Sequence, residues 1–267
     1  MKYMIFLDLD LTILPESKIF PEQTVKYLNL LSNEGHIIVL CTGRPFTGAI
    51  NFYNQFNKSF ILACDNGTRI LKPYDNSFKK INATIDKNEI ANLFNACQND
   101  FTMILSIGEN TIYGYNLENA PFWMFHKLDD TKIIDDINFP NYLNEDLTLI
   151  NLYVKKECYE HFVSIVEKQK NMKLFNWGLD NDHYCCEIYS LSGEKNFAVK
   201  ELSKLYNNEF TTIAFGDQLN DIPMIKEANI GVAMLNGKDK VKEEANYITE
   251  YDCDNEGVRK FLQNLIK

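Results

Sequence analysis

The chain has 267 residues, of which 45% are hydrophobic and 24% charged, a composition that is typical of a folded globular protein and excludes intrinsic disorder. The formal net charge of −10, without any Lys/Arg-rich stretch, excludes nucleic acid and anionic membranes as expected partners. Seven scattered cysteines and the lack of an apolar run of about 18 residues predict a cytoplasmic protein without a membrane-spanning helix.

Short apolar runs that end abruptly in small or polar residues recur along the chain. They cover residues 3–7, 37–41, 60–64, 212–215 and 230–234. Between the first two, Val25, Leu28 and Leu31 recur at helical spacing and predict a helix over 21–34. Fully apolar strands that alternate with helices predict a doubly wound α/β core around a parallel sheet. In such sheets, ligands bind at the carboxyl ends of the strands.

The middle of the chain has a different pattern. Residues 101–107 and 111–115 flank the turn Gly108-Glu109-Asn110, which predicts a hairpin. Further strand-like and helix-like segments continue to Ile188. We therefore expect an α+β domain inserted into the α/β core, with Trp123 and Trp177 in the hydrophobic core of the insert.

Residues that could take part in catalysis or binding follow the predicted strands of the core or precede its predicted helices. They are Asp8, Asp10, Thr42, Lys195, Asp217 and Asp221. Asp8 and Asp10 are two residues apart, so an extended segment places both on one face. Several converging carboxylates stay ionised only if a cation joins them. No histidine lies near these motifs, and an oxygen-only ligand set favours Mg²⁺ over zinc.

Four motifs occur in order along the chain. They are Asp8-Leu9-Asp10-Leu11-Thr12, Thr42-Gly43-Arg44-Pro45, Ser192-Gly193-Glu194-Lys195, and Gly216-Asp217-Gln218-Leu219-Asn220-Asp221 followed by Gly231-Val232-Ala233-Met234. Each motif is weak alone, but the ordered set at the predicted strand ends is specific. Through this set the chain resembles phosphatases of the haloacid dehalogenase (HAD) superfamily, in the Cof-like subfamily with a type IIB cap. The resemblance covers residues 1–72 and 187–267, whereas the middle of the chain matches the family only in its length and in the pattern of its predicted helices and strands.

The resemblance implies a Rossmann-like catalytic core formed by residues 1–81 and 189–267, with an α+β cap domain at 82–188. It also implies an enzyme that hydrolyses phosphate monoesters of small metabolites, sugar phosphates above all, with Mg²⁺ as cofactor. In this family pattern Asp8 is the nucleophile that forms an aspartyl-phosphate. Asp10 protonates the leaving oxygen and then takes a proton from the attacking water.

The same resemblance implies a set of binding residues. The metal ligands are Asp8, Asp10, Asp217 and Asp221, and Asp10 contributes through its backbone oxygen or its carboxylate. The phosphate is held by Leu9, Thr42, Gly43, Lys195 and Asn220. Leu11 stands where Cof-like proteins usually have glycine, which bears on the shape of this loop and on the room for the leaving group. We expect a monomer or a weak homodimer whose partner is a small phosphorylated metabolite.

Three other interpretations stay open. A phosphotransferase or phosphomutase uses the same aspartyl-phosphate but passes the phosphoryl group to a sugar hydroxyl. A receiver-like signalling module also combines acidic residues with a threonine and a lysine, although Asp10, the GDxxxD motif and the large insert argue against it. A non-catalytic binding protein keeps the fold without the activity, and the intact acidic set argues against that interpretation.

Overall fold

The computed structural model describes residues 1–120 and 131–266, and this part of the chain divides into two compact units. Unit 1 comprises Met1–Arg44, Ala49–Ile81 and Glu194–Lys267, and unit 2 comprises Pro45–Gly48 and Asn82–Gly193. Each unit has its own sheet. Among the described helices, none combines the length and the apolar character that crossing a bilayer demands.

Unit 1 is built on an eight-stranded sheet with the strand order β14-β13-β12-β1-β2-β3-β4-β5. The strands are β1 (Tyr3–Leu7), β2 (Ile37–Cys41), β3 (Ile61–Cys64), β4 (Arg69–Leu71), β5 (Ile81–Asn82), β12 (Thr211–Gly216), β13 (Ile230–Ala233) and β14 (Tyr247–Ile248). All neighbours from β14 to β3 pair in parallel, and β4 turns back antiparallel to β3. The predicted apolar strands are therefore confirmed as neighbours in one parallel sheet.

Helices accompany this sheet as the alternating pattern predicts. They are α1 (Glu22–Asn33), α2 (Phe46–Tyr53), α5 (Lys195–Leu205), α6 (Ile222–Glu227), α7 (Asp239–Glu244) and α8 (Gly257–Leu265). The helix predicted over 21–34 is α1, which buries Leu28 and Leu31. Apolar residues of α5 and α6 form one core with strand residues such as Phe6 and Val39. Burial of these strands on both faces explains why their sequences are continuously apolar.

Unit 2 contains a six-stranded sheet with the order β10-β11-β9-β6-β7-β8 in the described residues. The elements are α3 (Lys87–Ala96), β6 (Phe101–Ile107), β7 (Thr111–Tyr115), β8 (Lys132–Asp135), β9 (Leu149–Lys155), α4 (Tyr159–Val166), β10 (Met172–Asp180) and β11 (His183–Ser190). The predicted hairpin is confirmed, since β6 and β7 pair antiparallel. The core combines Leu93 of α3 and Phe162 of α4 with Ile150 of β9. The second expected boundary, between 188 and 189, falls inside β11.

One prediction about the core of the insert is wrong. Trp177 lies on β10 with 45% of its surface exposed. β10 is the edge strand of its sheet, and its central and final residues are covered only in part. An aromatic residue on an edge strand has fewer neighbours available to bury it. Trp123 lies outside the described residues.

Candidate active site

The carboxyl ends of β1, β2 and β12 meet at one edge of the sheet in unit 1. β1 lies between the other two strands in parallel register, with Leu7 opposite both Leu40 and Phe215. Asp8 follows directly, and its backbone N–H donates to the Phe215 carbonyl at 3.1 Å. The sheet ladder therefore holds Asp8 at the point where the strand ends.

Three buried carboxylates converge at this edge. One oxygen each from Asp8, Asp217 and Asp221 lies within 4.8 Å of the other two, and the residues are 6%, 1% and 0% exposed. Asp221 Oδ2 accepts the backbone N–H groups of Asp217 and Gln218, both at 2.9 Å, which fixes the turn after β12. A Cβ added to Gly216 would lie 2.3 Å from the Asp221 Cβ, so this turn requires glycine at that position.

Lys195 places a buried cation among these carboxylates. Its Nζ donates to Asp8 Oδ1 at 2.6 Å and to Asp221 Oδ1 at 2.5 Å. Lys195 is the first residue of α5, and its side chain is 1% exposed. Gly67 approaches this helix start closely, because a Cβ at that position would lie 2.8 Å from the Lys195 Cα. The close approach requires glycine there, and its positive φ of 83° also suits glycine.

Burial and mutual repulsion shift the acid–base properties of this cluster. Burial raises the pKa of Asp8 well above its usual range, with repulsion by Asp221 and Asp217 adding to the rise and Lys195 opposing it. Burial and repulsion by Asp221 raise the pKa of Asp217 to about 7. Burial lowers the pKa of Lys195, but attraction to Asp221 and Asp8 outweighs burial and raises it, so the ammonium stays charged. One buried cation faces three carboxylates, and this hard, oxygen-only set fits a divalent cation such as Mg²⁺.

Asp10 lies apart from the three-carboxylate cluster. Arg44 binds its carboxylate through two hydrogen bonds of 2.7 Å, and Lys18 Nζ donates to Oδ1 at 2.6 Å. Burial raises the pKa of Asp10, but the hydrogen bonds from Arg44 and Lys18 outweigh it and hold the pKa below its usual value. Both carboxylate oxygens of Asp10 are thus occupied by cationic side chains. Its backbone oxygen is the remaining candidate for metal ligation.

The predicted phosphate-binding residues lie on the loops around the same edge. Within residues 1–120 and 131–266, the backbone N–H groups of Leu9 and Gly43 donate to no acceptor. Thr42 is buried, and its Oγ1 accepts the Arg44 N–H at 3.1 Å. Asn220 lies near Gly43, since a Cβ added to Gly43 would be 3.6 Å from the Asn220 Nδ2. Open backbone donors beside a buried lysine form a suitable environment for an oxyanion.

Leu11 occupies a backbone conformation that favours glycine. Its φ is 59°, in the left-handed region, and its N–H donates to the Leu14 carbonyl at 2.8 Å. Asn236 Nδ2 donates to the Leu11 carbonyl at 2.7 Å. The loop therefore adopts a backbone conformation that suits glycine. Because leucine stands at this position, the backbone carries a strain that glycine would not have.

Sequence reasoning missed three polar residues of this site. Arg44 was part of a recognised motif, but nothing in the spacing indicated that its partner is Asp10. Thr12 Oγ1 donates to Asp217 Oδ1 at 3.1 Å, and its place in the first motif was the available signal. Lys18 lies in a loop without any motif, so its contact with Asp10 had no sequence signal.

The family of the chain follows from a comparison with known sequences. A family model described as haloacid dehalogenase-like hydrolase matches residues 5–262. The chain belongs to the haloacid dehalogenase-like hydrolases. The predicted HAD membership in the Cof-like subfamily is therefore confirmed, and so is the α/β fold class.

Individual relatives align with nearly the whole length of this HAD hydrolase. It is 26% identical over 264 residues to the Bacillus subtilis 5-amino-6-(5-phospho-D-ribitylamino)uracil phosphatase YitU, covering 98% of this chain and 96% of that protein. A haloacid dehalogenase-like hydrolase from Bacteroides thetaiotaomicron superposes with a TM-score of 0.80 at 22% identity, with both chains fully covered. The HAD subclass IIB sugar phosphatase BT4131 gives a TM-score of 0.76 at 18% identity over 99% of both chains. The prediction of a HAD-type phosphatase enzyme is confirmed by the family match together with the named relatives.

Proposed function

We propose that this HAD phosphatase hydrolyses phosphate monoesters of small metabolites in a Mg²⁺-dependent reaction, with Asp8 as the nucleophile. The observation that carries the proposal is the buried cluster of three carboxylates around Lys195, next to open backbone N–H groups. We propose sugar or polyol phosphates as the substrate class. Two Bacillus subtilis relatives are named as phosphatases of a phospho-ribitylamino compound, and BT4131 is named as a sugar phosphatase.

We propose that unit 1 is the catalytic core and unit 2 the cap domain. In support, every residue of the predicted site, from Asp8 to Asp221, belongs to unit 1. All seven cysteines are free thiols, in agreement with a reducing, cytoplasmic location. We retain a monomer or weak homodimer without nucleic acid or membrane partners as the expected state.

The proposed metal site uses the carboxylates of Asp8, Asp217 and Asp221 and the backbone oxygen of Asp10. Mg²⁺ bound there would neutralise charge where an anionic phosphate meets an anionic nucleophile. Lys195 serves the same purpose from within the protein, because its ammonium already touches the Asp8 carboxylate. The Leu9 and Gly43 N–H groups, Thr42 and Asn220 would hold the phosphate oxygens.

The proposed reaction has two steps at phosphorus. In the first, a carboxylate oxygen of Asp8 bonds to phosphorus while the bond to the leaving oxygen breaks, and Asp10 gives that oxygen a proton. In the second, Asp10 takes a proton from water as the water oxygen bonds to phosphorus. The bond between phosphorus and Asp8 then breaks, which releases phosphate and restores the carboxylate. Arg44 and Lys18 favour the ionised form of Asp10 that the second step needs. The first step needs the protonated form, so we propose that the negative charge of the bound phosphate ester raises the pKa of Asp10 and lets it take up the proton that it then donates.

Hydrolysis of p-nitrophenyl phosphate tests this proposal. We expect activity with Mg²⁺, loss of activity with EDTA, and a fall in kcat of at least about 10³-fold in Asp8→Asn. Asp254→Asn, an exposed aspartate of the same unit, serves as the matched control. Activity of folded Asp8→Asn equal to that of the control would remove Asp8 from the reaction.

The same assay separates hydrolysis from phosphoryl transfer. With glycerol added as acceptor, a hydrolase releases p-nitrophenol and inorganic phosphate in equal amounts. A phosphotransferase would release less phosphate than p-nitrophenol, because part of the phosphoryl group would appear on glycerol.

A further inference from the structure

Three consecutive residues in the turn between β3 and β4 have left-handed backbone conformations. Their φ values are 51° for Asp65, 58° for Asn66 and 83° for Gly67. Glycine adopts such values freely, whereas a residue with a Cβ pays a steric penalty there. Asp65 and Asn66 are both buried. Strained backbone of this kind persists only where surrounding contacts hold it, and it is common beside functional sites.

Hydrogen bonds join this turn to the loop that follows β2. The Asp65 N–H donates to the Arg44 carbonyl at 2.9 Å, and the Asn66 N–H donates to the Thr42 carbonyl at 3.0 Å. On the other side, an ion pair of 2.9 Å between Asp65 Oδ2 and Arg69 Nε ties the turn to β4. The backbone of Asn66 is therefore fixed relative to Thr42, one of the predicted phosphate-binding residues.

The side chain of Asn66 contacts a second predicted phosphate-binding residue. Asn220 Nδ2 donates to Asn66 Oδ1 at 3.1 Å. The same nitrogen lies beside Gly43, 3.6 Å from the position of a Cβ added to Gly43. An amide nitrogen carries two hydrogens. Asn66 accepts one of them, and within residues 1–120 and 131–266 the other has no acceptor. One N–H of Asn220 is thus left for a ligand, next to the open N–H of Gly43.

We propose that Asn66 is a positioning residue, which orients the Asn220 amide so that its second N–H donates to the bound phosphate group. The inference rests on the proposed function, in which Asn220 holds a phosphate oxygen. Because Asn66 Oδ1 accepts the bond, the nitrogen of the Asn220 amide lies beside Gly43, and its oxygen, which would repel phosphate, does not. Without this acceptor the amide rotates freely, and ordering it on binding costs affinity. Asparagine suits position 66, since it tolerates the left-handed region and supplies the acceptor.

Glycine at position 66 separates the side chain from the backbone. Asn66→Gly keeps the left-handed conformation without strain but lacks the acceptor, so its unfolding midpoint should stay within about 3 °C of wild type. Its kcat/KM for p-nitrophenyl phosphate should fall about tenfold. Asn66→Ala lacks the same acceptor and adds backbone strain, so it should be less stable than Asn66→Gly and show the same loss of kcat/KM. Asn207→Gly alters an exposed left-handed asparagine of unit 1 and should retain the wild-type kcat/KM.

A double-variant cycle tests whether Asn66 acts through Asn220. It compares kcat/KM for p-nitrophenyl phosphate in wild type, Asn66→Gly, Asn220→Ala and the variant that carries both changes. Once Asn220 is truncated, Asn66 has no amide to orient. The double variant should therefore stay within about twofold of Asn220→Ala. An Asn66 that only supported the fold would act in both backgrounds, and the two losses would multiply.

Inorganic phosphate gives a second measurement that does not depend on turnover. With Mg²⁺ present, phosphate should raise the unfolding midpoint of the wild type, and its concentration dependence gives an apparent Kd. We expect this Kd to be about tenfold higher in Asn66→Gly and in Asn220→Ala. It should be unchanged in Asn207→Gly.

Several outcomes would overturn the proposal. A kcat/KM of Asn66→Gly within about twofold of wild type would show that the side chain orients nothing the reaction needs. Losses that multiply in the double variant, or an unchanged Kd for phosphate in Asn66→Gly, would show that Asn66 does not act through Asn220. Absence of Asp8-dependent hydrolysis in a wild type that binds phosphate would overturn the proposed function alone, and the Kd of Asn66→Gly would then decide the role of Asn66. A wild type that neither hydrolyses esters nor binds phosphate would overturn both.

Discussion

The guanidinium of Arg44 binds the carboxylate of Asp10 through two hydrogen bonds, each 2.7 Å long. A planar guanidinium that meets a carboxylate in this bidentate way fixes its orientation as well as its charge. Lys18 adds a third bond to the same carboxylate. Together these bonds hold the pKa of Asp10 below its usual value in spite of burial, which raises it. The residue proposed to exchange protons with the substrate is therefore held in its ionised form.

Removal of Arg44 should move the pH dependence of the reaction. In Arg44→Ala the pKa of Asp10 rises, so the acidic limb of kcat for p-nitrophenyl phosphate should shift to higher pH. This ester suits the test because its leaving group departs without protonation, which makes the second step, with ionised Asp10, decisive. Profiles between about pH 4 and pH 8 measure the shift. Arg259→Ala breaks a comparable pair with Glu256 away from the site and should leave the limb in place.

Lys195 should stabilise the protein through its buried contacts with Asp8 and Asp221. Lys195→Met leaves these carboxylates without their cation, and we expect a loss of about 3–5 kcal/mol in the free energy of unfolding without Mg²⁺. Urea denaturation in EDTA measures it. Lys200→Met changes a half-exposed lysine of the same helix and should stay within about 1 kcal/mol of wild type. A loss of similar size in both variants would show that burial of the Lys195 charge is unimportant.

The stability of the metal-free protein should fall as the pH rises toward neutrality. Folding raises the pKa of Asp217 from its ordinary value of 3.8 to about 7, so the folded state takes up this proton more readily than the unfolded state. The resulting stability is complete below about pH 4 and is lost as the pH rises through about 7, a change on the order of 4 kcal/mol, of which about 3 kcal/mol falls between pH 5 and pH 8. Denaturation at pH 5 and pH 8 in EDTA measures the loss.

Two comparisons assign this pH effect to the site. Asp217→Asn cannot ionise and should show a smaller difference between the two pH values, whereas the exposed control Asp254→Asn should behave as wild type. Mg²⁺ should restore stability at pH 8 more than at pH 5, because it binds the ionised carboxylates. An equal effect of Mg²⁺ at both pH values would argue against ligation by Asp217.

The backbone strain at Leu11 can be measured by comparing the stability of variants with glycine and with alanine at this position. At a φ of 59°, alanine retains the penalty for the left-handed region and glycine does not. We therefore expect Leu11→Gly to be more stable than Leu11→Ala by about 1 kcal/mol, the reverse of their usual order in regular structure. Chemical denaturation of both variants measures the difference. Alanine as stable as glycine would mean that the loop relaxes out of the left-handed region.

Much of the fold was predictable because a parallel sheet imposes a simple pattern. Strands covered on both faces must be continuously apolar, and helices between them repeat with their own period. The exposed Trp177 shows the limit of that argument. Whether a strand is central or at an edge depends on the order of the strands in the sheet, and the sequence of β10 does not indicate that it is an edge strand.

The sequence by itself determined the family, the α/β fold class and the placement of Asp8, Asp217 and Thr42 at the ends of neighbouring strands. Parallel pairing is the physical reason, since it brings the carboxyl ends of those strands to one edge. Only the tertiary structure decided which side chains pair there: Lys195 with Asp8, and Arg44 with Asp10. Such pairings depend on distances between segments far apart in the chain and on the rotamers that packing allows, and no local pattern encodes them.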